Sequence, residues 1–287
     1  MVIYRLHDTV PLIQKTITKK EVLALDKIKP RRICFASTHK DALRRGDAPY
    51  IGKFVVPFAE TIYPIFYAKT GIELFESKKF GNFWRSIKSE KEYQKIEGFI
   101  SEERDTVFLR DTLALSIALS ENMNDSGVRT KIGELEYQAK YQQDQTSERQ
   151  LADICKEAIK HLPFYNKTSI LCSVPASGNS NKSIPRRITG YIAKNMDLHD
   201  ISECILWSSS KPPLKDVSKE QKWDVLCKGN LIVQSGVKFK GKDVILLDDL
   251  YQSGITMQHV AMKLQEAGAS RIFGIALVKS RTNTDNV

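Results

Sequence analysis

Val244-Ile-Leu-Leu-Asp-Asp-Leu-Tyr-Gln-Ser-Gly-Ile-Thr256 is an apolar run that ends in two carboxylates and breaks into a glycine-containing turn. An amphipathic stretch from Met257 to Ala267 follows, so the local order is buried strand, charged strand end, short loop, helix. A loop that opens a helix presents free backbone N–H groups and a positive dipole end, which suits an anion such as a phosphate. Two carboxylates at the strand tip accept hydrogen bonds from sugar hydroxyls. A sugar phosphate satisfies both requirements. Adjacent acids and a Ser-Gly turn also occur as plain strand ends and helix caps, and it is their succession within thirteen residues that points to a ligand.

Working outward, the chain alternates. Ile132 to Tyr141 and Leu151 to Leu162 carry apolar residues at helical spacing, and Ser169-Ile-Leu-Cys-Ser-Val174 is a short buried strand closed by Pro175. A helix near Ile188 to Lys194, a strand near Glu203 to Trp207, a polar stretch from Ser208 to Lys222 and a strand at Leu231 to Gln234 come next. Arg271-Ile-Phe-Gly-Ile-Ala-Leu-Val-Lys279 makes a last strand. Strands alternating with helices predict an α/β fold with a mostly parallel sheet covered on both faces, with ligands at the carboxyl ends of its strands.

The 244–256 stretch resembles the phosphoribosyl pyrophosphate (PRPP) signature of type I phosphoribosyltransferases, with Gln252 where that signature usually has a small hydroxyl residue. From about Ile132 to Lys279 the order of features is similar to the ComF-type branch, through Lys140-Tyr141, Val174-Pro175, a basic polar loop and the acidic signature. The resemblance implies that Asp248 and Asp249 are the catalytic pair, hold the ribose hydroxyls and sit near Mg²⁺, which PRPP carries. It implies a 5′-phosphate turn of Tyr251, Gln252, Ser253, Gly254, Ile255 and Thr256, and a pyrophosphate loop at Ala176, Ser177, Gly178 and Lys182, with Arg186 and Arg187 as further counter-charges. A mobile loop at Lys211 to Lys222 would close over the site, through Lys211, Lys215, Lys219 or Lys222. Trp207 and Trp223 are candidates for stacking on an acceptor base.

The implied activity is transfer or exchange of the phosphoribosyl group with a base or amine acceptor. Two alternatives stand beside it: a non-catalytic PRPP-binding regulator or DNA-associated accessory protein, and ADP-ribosyltransferase chemistry in the first region. The second rests on Ile3-Tyr-Arg5 and Phe35-Ala-Ser-Thr38, with Glu97, Glu102 and Glu103 downstream.

Composition sets outer bounds. With 287 residues, 41% hydrophobic and 27% charged, the chain suits one generous core or two modest ones. The turn formers of Asn122-Met-Asn-Asp-Ser-Gly-Val128, after the apolar Thr106 to Leu119, predict a boundary between Ser120 and Lys131. Residues 1–125 would then be an N-terminal α+β region that selects a partner or substrate, and 126–287 the ligand-binding domain. No apolar run approaches the roughly 20 residues of a membrane span. Five scattered cysteines without a C-x-x-C pair argue for a reducing cytoplasm. The formal charge of +10 favours phosphate-bearing partners, small polyphosphates or nucleic acid. A homodimer is a further expectation.

Overall fold

In a computed structural model, residues 4–5, 12–46, 48–176, 183–209, 218–234 and 239–281 are described. The elements in chain order are β1 (Tyr4–Arg5), α1 (Lys19–Asp26), β2 (Arg32–Ile33), β3 (Leu43–Arg45), β4 (Gly52–Val56), α2 (Ile62–Thr70), β5 (Phe75–Ser77), β6 (Asn82–Ile87), α3 (Glu90–Glu102), β7 (Val107–Leu109) and β8 (Leu115–Glu121). They continue with α4 (Lys131–Tyr141), α5 (Gln145–His161), β9 (Ile170–Ser173), α6 (Ile184–Met196), β10 (His199–Asp200), β11 (Ile205–Trp207), α7 (Lys219–Gly229), β12 (Leu231–Val233), β13 (Val244–Tyr251), α8 (Ile255–Glu266) and β14 (Ile272–Lys279).

The central sheet has seven strands in the order β10-β9-β13-β14-β8-β7-β2. Its first five strands are mutually parallel, and β7 and β2 continue it antiparallel. The expected α/β class with a mostly parallel sheet is therefore observed. Alternation along β13 shows how both faces are covered. Ile245 and Leu247 belong to a core built with α4, α5 and α6, whereas Val244 and Leu246 belong to one built with α7 and α8. Asp144 caps α5 by accepting from the N–H groups of Thr146 and Ser147, and Leu151, Cys155, Ala158 and Ile159 then turn inward at helical spacing.

Upstream lies an antiparallel sheet, β1-β5-β6-β4-β3, with α2 and α3. Phe54 stacks on Phe66, which meets Phe99 edge-on; Phe99 stacks on Phe108, Phe35 packs against Phe54, Phe99 and Phe108, and the same core includes Leu115 and Ile117 of the central sheet.

Strand pairing bears on two sequence expectations. The predicted boundary at residue 126 falls in a local turn, where the side chain of Asn124 accepts from the N–H groups of Ser126 and Val128. Strand β8, just upstream of that turn, pairs with β14 from Leu115 to Glu121, so the central sheet extends across the expected boundary. The strands near residues 205 and 231 do not join the parallel sheet. They pair with each other, antiparallel, as a separate two-stranded sheet that leaves Leu206 and Ile232 exposed, with no third strand beside them among the described residues. No helix among the described residues is long and apolar enough to cross a membrane.

Glu103, at the end of α3, links the two layers. Its buried carboxylate accepts from Lys69 of α2 and from Thr106 Oγ1 at 2.9 Å, and it lies 3.5 Å from His161 Nε2 at the end of α5. With Glu102 and His161 it forms a group of metal-ligand type, but the cation this group holds is the Lys69 ammonium. The hydrogen bond to Glu103 raises the pKa of His161 against the opposing effect of burial. A histidine with a raised folded pKa contributes its full stabilisation below its unfolded value of about 6.5 and loses it as pH rises through the folded value. His161→Ala is therefore expected to cost more stability near pH 5.5 than near pH 8.5, by under about 1 kcal/mol because the ring is partly exposed. Urea unfolding of both proteins at the two pH values measures it, and a gap independent of pH contradicts it.

Candidate functional site

The chain leaves β9 toward β10 on one side and proceeds from β13 to β14 on the other, so strand order reverses between β9 and β13. Such a reversal opens a crevice at the carboxyl ends of the two strands. Pairing of β13 with β9 stops at Leu247 and Ser173, while pairing with β14 continues to Tyr251 and Lys279. Asp248 and Asp249 follow the point where β9 ends, and both are half-buried. The strand thus extends through both acids to Tyr251, beyond the tip expected from the apolar run alone.

The carboxylates are held differently. Asp248 accepts from the backbone N–H of Asp249 at 2.9 Å, and Asp249 accepts from Lys140 Nζ at 2.7 Å. Lys140, in the last turn of α4, also lies 3.3 Å from Glu136. Burial would lower the lysine's pKa, but Asp249 and then Glu136 outweigh it and hold the ammonium above the usual lysine range. Burial pushes the Glu136 carboxyl up, and Asp249 adds to this while Lys140 opposes it.

Beyond the acids, Gly254 ends the turn as the N-cap of α8, with φ of 74° and no side-chain cap. The first amides of that helix have no partner within the helix, and Ile255, Thr256 and Met257 line the cavity at the crevice. Two buried contacts fix the turn. Tyr251 Oη donates to Asp111 Oδ2 at 3.0 Å, and Lys279 Nζ, at the end of β14, donates to the carbonyls of Gln252 (3.2 Å) and Ser280 (2.7 Å).

A cavity of about 510 Å³ gathers these groups. Every residue from Asp248 to Thr256 lines it, so all eight residues expected on β13 and its turn come together. The Tyr251 side chain, however, is buried against Asp111. Ala176 lines the opposite wall with Ser183 and Pro185, whereas Ser177, Gly178 and Lys182 lie outside the described residues. Arg186 pairs with Asp200 and Glu203, and Arg187 with Glu148, so both expected counter-charges are held by carboxylates of their own. Of the four candidate lysines from 211 to 222, Lys222 lines the cavity and Lys219 binds Asp26, while Lys211 and Lys215 lie outside the described residues.

Neither tryptophan lines the cavity as a stacking platform. Trp223 is buried edge-on to His259, and Trp207 stacks on His259 and donates to the Pro175 carbonyl at 3.2 Å. In the first region, Phe35 is core, Glu103 is buried in its ion pairs, and the side chain of Arg5 lies outside the described residues. Sequence patterns alone do not reveal Asp111 and Lys279. A lone acid and a terminal lysine at the ends of apolar runs carry no spacing signal, and each meets the turn only through the sheet.

No family model matches the chain, and no curated protein matches it. Among solved structures it is similar to adenine phosphoribosyltransferase from Leishmania tarentolae, with 11% identity and a TM-score of 0.36 over 58% of this chain and 91% of that one. It is also similar to hypoxanthine phosphoribosyltransferase from Staphylococcus aureus, with 15% identity and a TM-score of 0.31 over 48% and 67%. UMP synthase from Leishmania donovani gives 18% and 0.30 over 55% and 28%. Likenesses this loose carry nothing about the substrate or activity of this chain.

Proposed function

We propose that the chain binds PRPP with Mg²⁺ in the cavity over Asp248 to Thr256 and transfers or exchanges the phosphoribosyl group with a base or amine acceptor. One observation carries the reading: two half-buried carboxylates and an uncapped helix N-terminus face a single cavity at the point where strand order reverses. A phosphate on the Gln252–Thr256 turn would lie against the α8 amides, and the ribose hydroxyls would donate to Asp248 and Asp249. Cleavage of the anomeric carbon–pyrophosphate bond develops oxocarbenium character, so positioning and charge balance suffice and no protein nucleophile is required. The oxygen donors of Asp248 and Asp249 suit Mg²⁺, held chiefly by PRPP, which supplies Lewis acidity toward the departing pyrophosphate.

Lys140 has a separate part. It neutralises Asp249 while the ribose is absent, so hydroxyl donors must share or displace it on binding. Lys222 lines the same cavity and would meet the pyrophosphate.

A ligand that binds only the folded protein stabilises it by RT ln(1 + [L]/Kd), so saturating PRPP with Mg²⁺ is expected to raise Tm by several degrees. Asp248→Asn combined with Asp249→Asn should remove the rise, and pyrophosphate release should require an added acceptor. An unchanged melting curve at millimolar PRPP and Mg²⁺ overturns the reading.

A further inference from the structure

A second group of buried polar atoms lies at the carboxyl end of β8. Arg32, on β2, and Glu121, the last residue of β8, are 6% and 4% exposed, and Nε of the first lies 3.3 Å from Oε1 of the second. Neither atom makes a hydrogen bond, so the pair has charge contact without directed bonding. Ser37 Oγ, in the turn after β2, is also buried without a partner. Buried polar groups are normally satisfied, and leaving one unpaired costs about 1–3 kcal/mol. Arg32 Nε faces Glu121 and lines neither of the neighbouring cavities, so Glu121 Oε1 and Ser37 Oγ are the atoms that remain for a ligand to complete.

They border open space. Glu121 and Ser37 line a cavity of about 310 Å³, walled on its other sides by Cys34, Arg104 and the 122–130 turn. A second cavity, of about 490 Å³, meets it at Ser37 and Lys40 and adds Arg44 and Lys53. Neither shares a lining residue with the cavity over Asp248 to Thr256.

The two cavities differ in chemistry. The inner one is lined by Glu121, whose Oε1 meets Arg32 by charge contact and accepts no hydrogen bond, so it suits a group presenting N–H bonds. A carboxylate binds best to two N–H groups side by side, as on the edge of a guanine base. The outer one is cationic. Arg44 donates from Nε to the Asp41 carbonyl at 3.0 Å and has a 3.6 Å contact with the exposed Asp41 carboxylate, and Lys53 makes no ion pair among the described residues, lying 5.8 Å from the Trp84 ring. Lys40 is balanced by Asp125 at 2.5 Å. His39, whose pKa burial and then Arg32 push down to about 4, is neutral at physiological pH. Two cations without strong partners suit a phosphate.

We propose that these adjoining cavities form a second ligand site for a purine nucleoside monophosphate of the guanine type, with its base on Glu121 and Ser37 and its phosphate between Arg44 and Lys53. The site is independent of PRPP binding and stands or falls separately from it.

Calorimetric titration of the full chain with GMP, AMP and ribose 5-phosphate tests the proposal. GMP is expected to bind, and to bind equally well to the Asp248→Asn, Asp249→Asn double variant. Combined Arg44→Ala and Lys53→Ala, both exposed and outside the core, should weaken it at least about tenfold, and Ser37→Ala and Glu121→Gln should weaken it further relative to ribose 5-phosphate. Circular dichroism confirms that each variant is folded. The proposal is overturned by absence of GMP binding, by affinity indifferent to Arg44 and Lys53, by ribose 5-phosphate or AMP binding as tightly as GMP, or by loss of binding in the Asp248, Asp249 variant.

Discussion

A chain that begins at Val128 is expected to lose cooperative folding, although it retains the whole 244–256 signature. It lacks β8, which is buried along its length and pairs with β14 at Leu115, Ser116, Ile117, Ala118, Ser120 and Glu121. Removing it exposes one edge of β14 and withdraws Leu115, Ile117 and Leu119 from the core they share with Phe273 and Ile275. Burial of each such side chain contributes about 1.5–3 kcal/mol, so three of them match much of a net stability of about 5–15 kcal/mol. An open, apolar edge strand also invites aggregation.

The intact protein offers the complementary test. Limited proteolysis at the exposed turn around Asn124 to Gly127 should cut the chain without separating it, since β8 stays paired with β14 after the cut. The two pieces should co-elute on gel filtration and part only in denaturant. If they separate into two folded, soluble proteins, the sheet is not the cooperative unit and the boundary near residue 126 stands as a domain boundary.

Gly254→Ala is expected to cost both stability and PRPP binding. The residue has a left-handed φ of 74°, and a Cβ there would lie 2.1 Å from Tyr251 Oη and 2.3 Å from Cζ. Displacing the ring breaks its bond to Asp111, whose carboxyl is buried and whose pKa burial raises. Left-handed strain contributes about 1–2 kcal/mol, and loss of a partner for the buried carboxyl about 1–3 kcal/mol more. Gly71 isolates the first contribution, because it has φ of 68° and nothing within 4 Å of its Cβ position. Gly71→Ala should therefore be mild, and Gly254→Ala should melt roughly 4 °C or more below it. Equal melting temperatures for the two variants would show that Tyr251 and Asp111 yield freely and do not hold the turn.

What the sequence by itself determined rests on residues close together in the chain. The strand, paired acids, turn and helix from Val244 to Glu266 are legible there because strand burial, turn chemistry and helical spacing are all local. The helices at Lys131–Tyr141, Gln145–His161 and Ile184–Met196 are legible for the same reason, with boundaries shifted by a few residues. Turn formers at 122–128 correctly mark a turn, but composition carries no information on whether the strands on either side share a sheet.

Tertiary structure decided everything that depends on strand order and on contacts between distant residues. It set β8 beside β14, took β11 and β12 out of the main sheet, and brought Lys140 to Asp249 across 109 positions. It also provided Arg186, Arg187 and Lys219 with carboxylates of their own, leaving Lys222 at the cavity. The physical reason is common to these cases. A basic residue in a loop has the same local signal whether it meets a ligand or an acid, and an apolar strand pairs with whichever neighbour lets both faces of the sheet be covered.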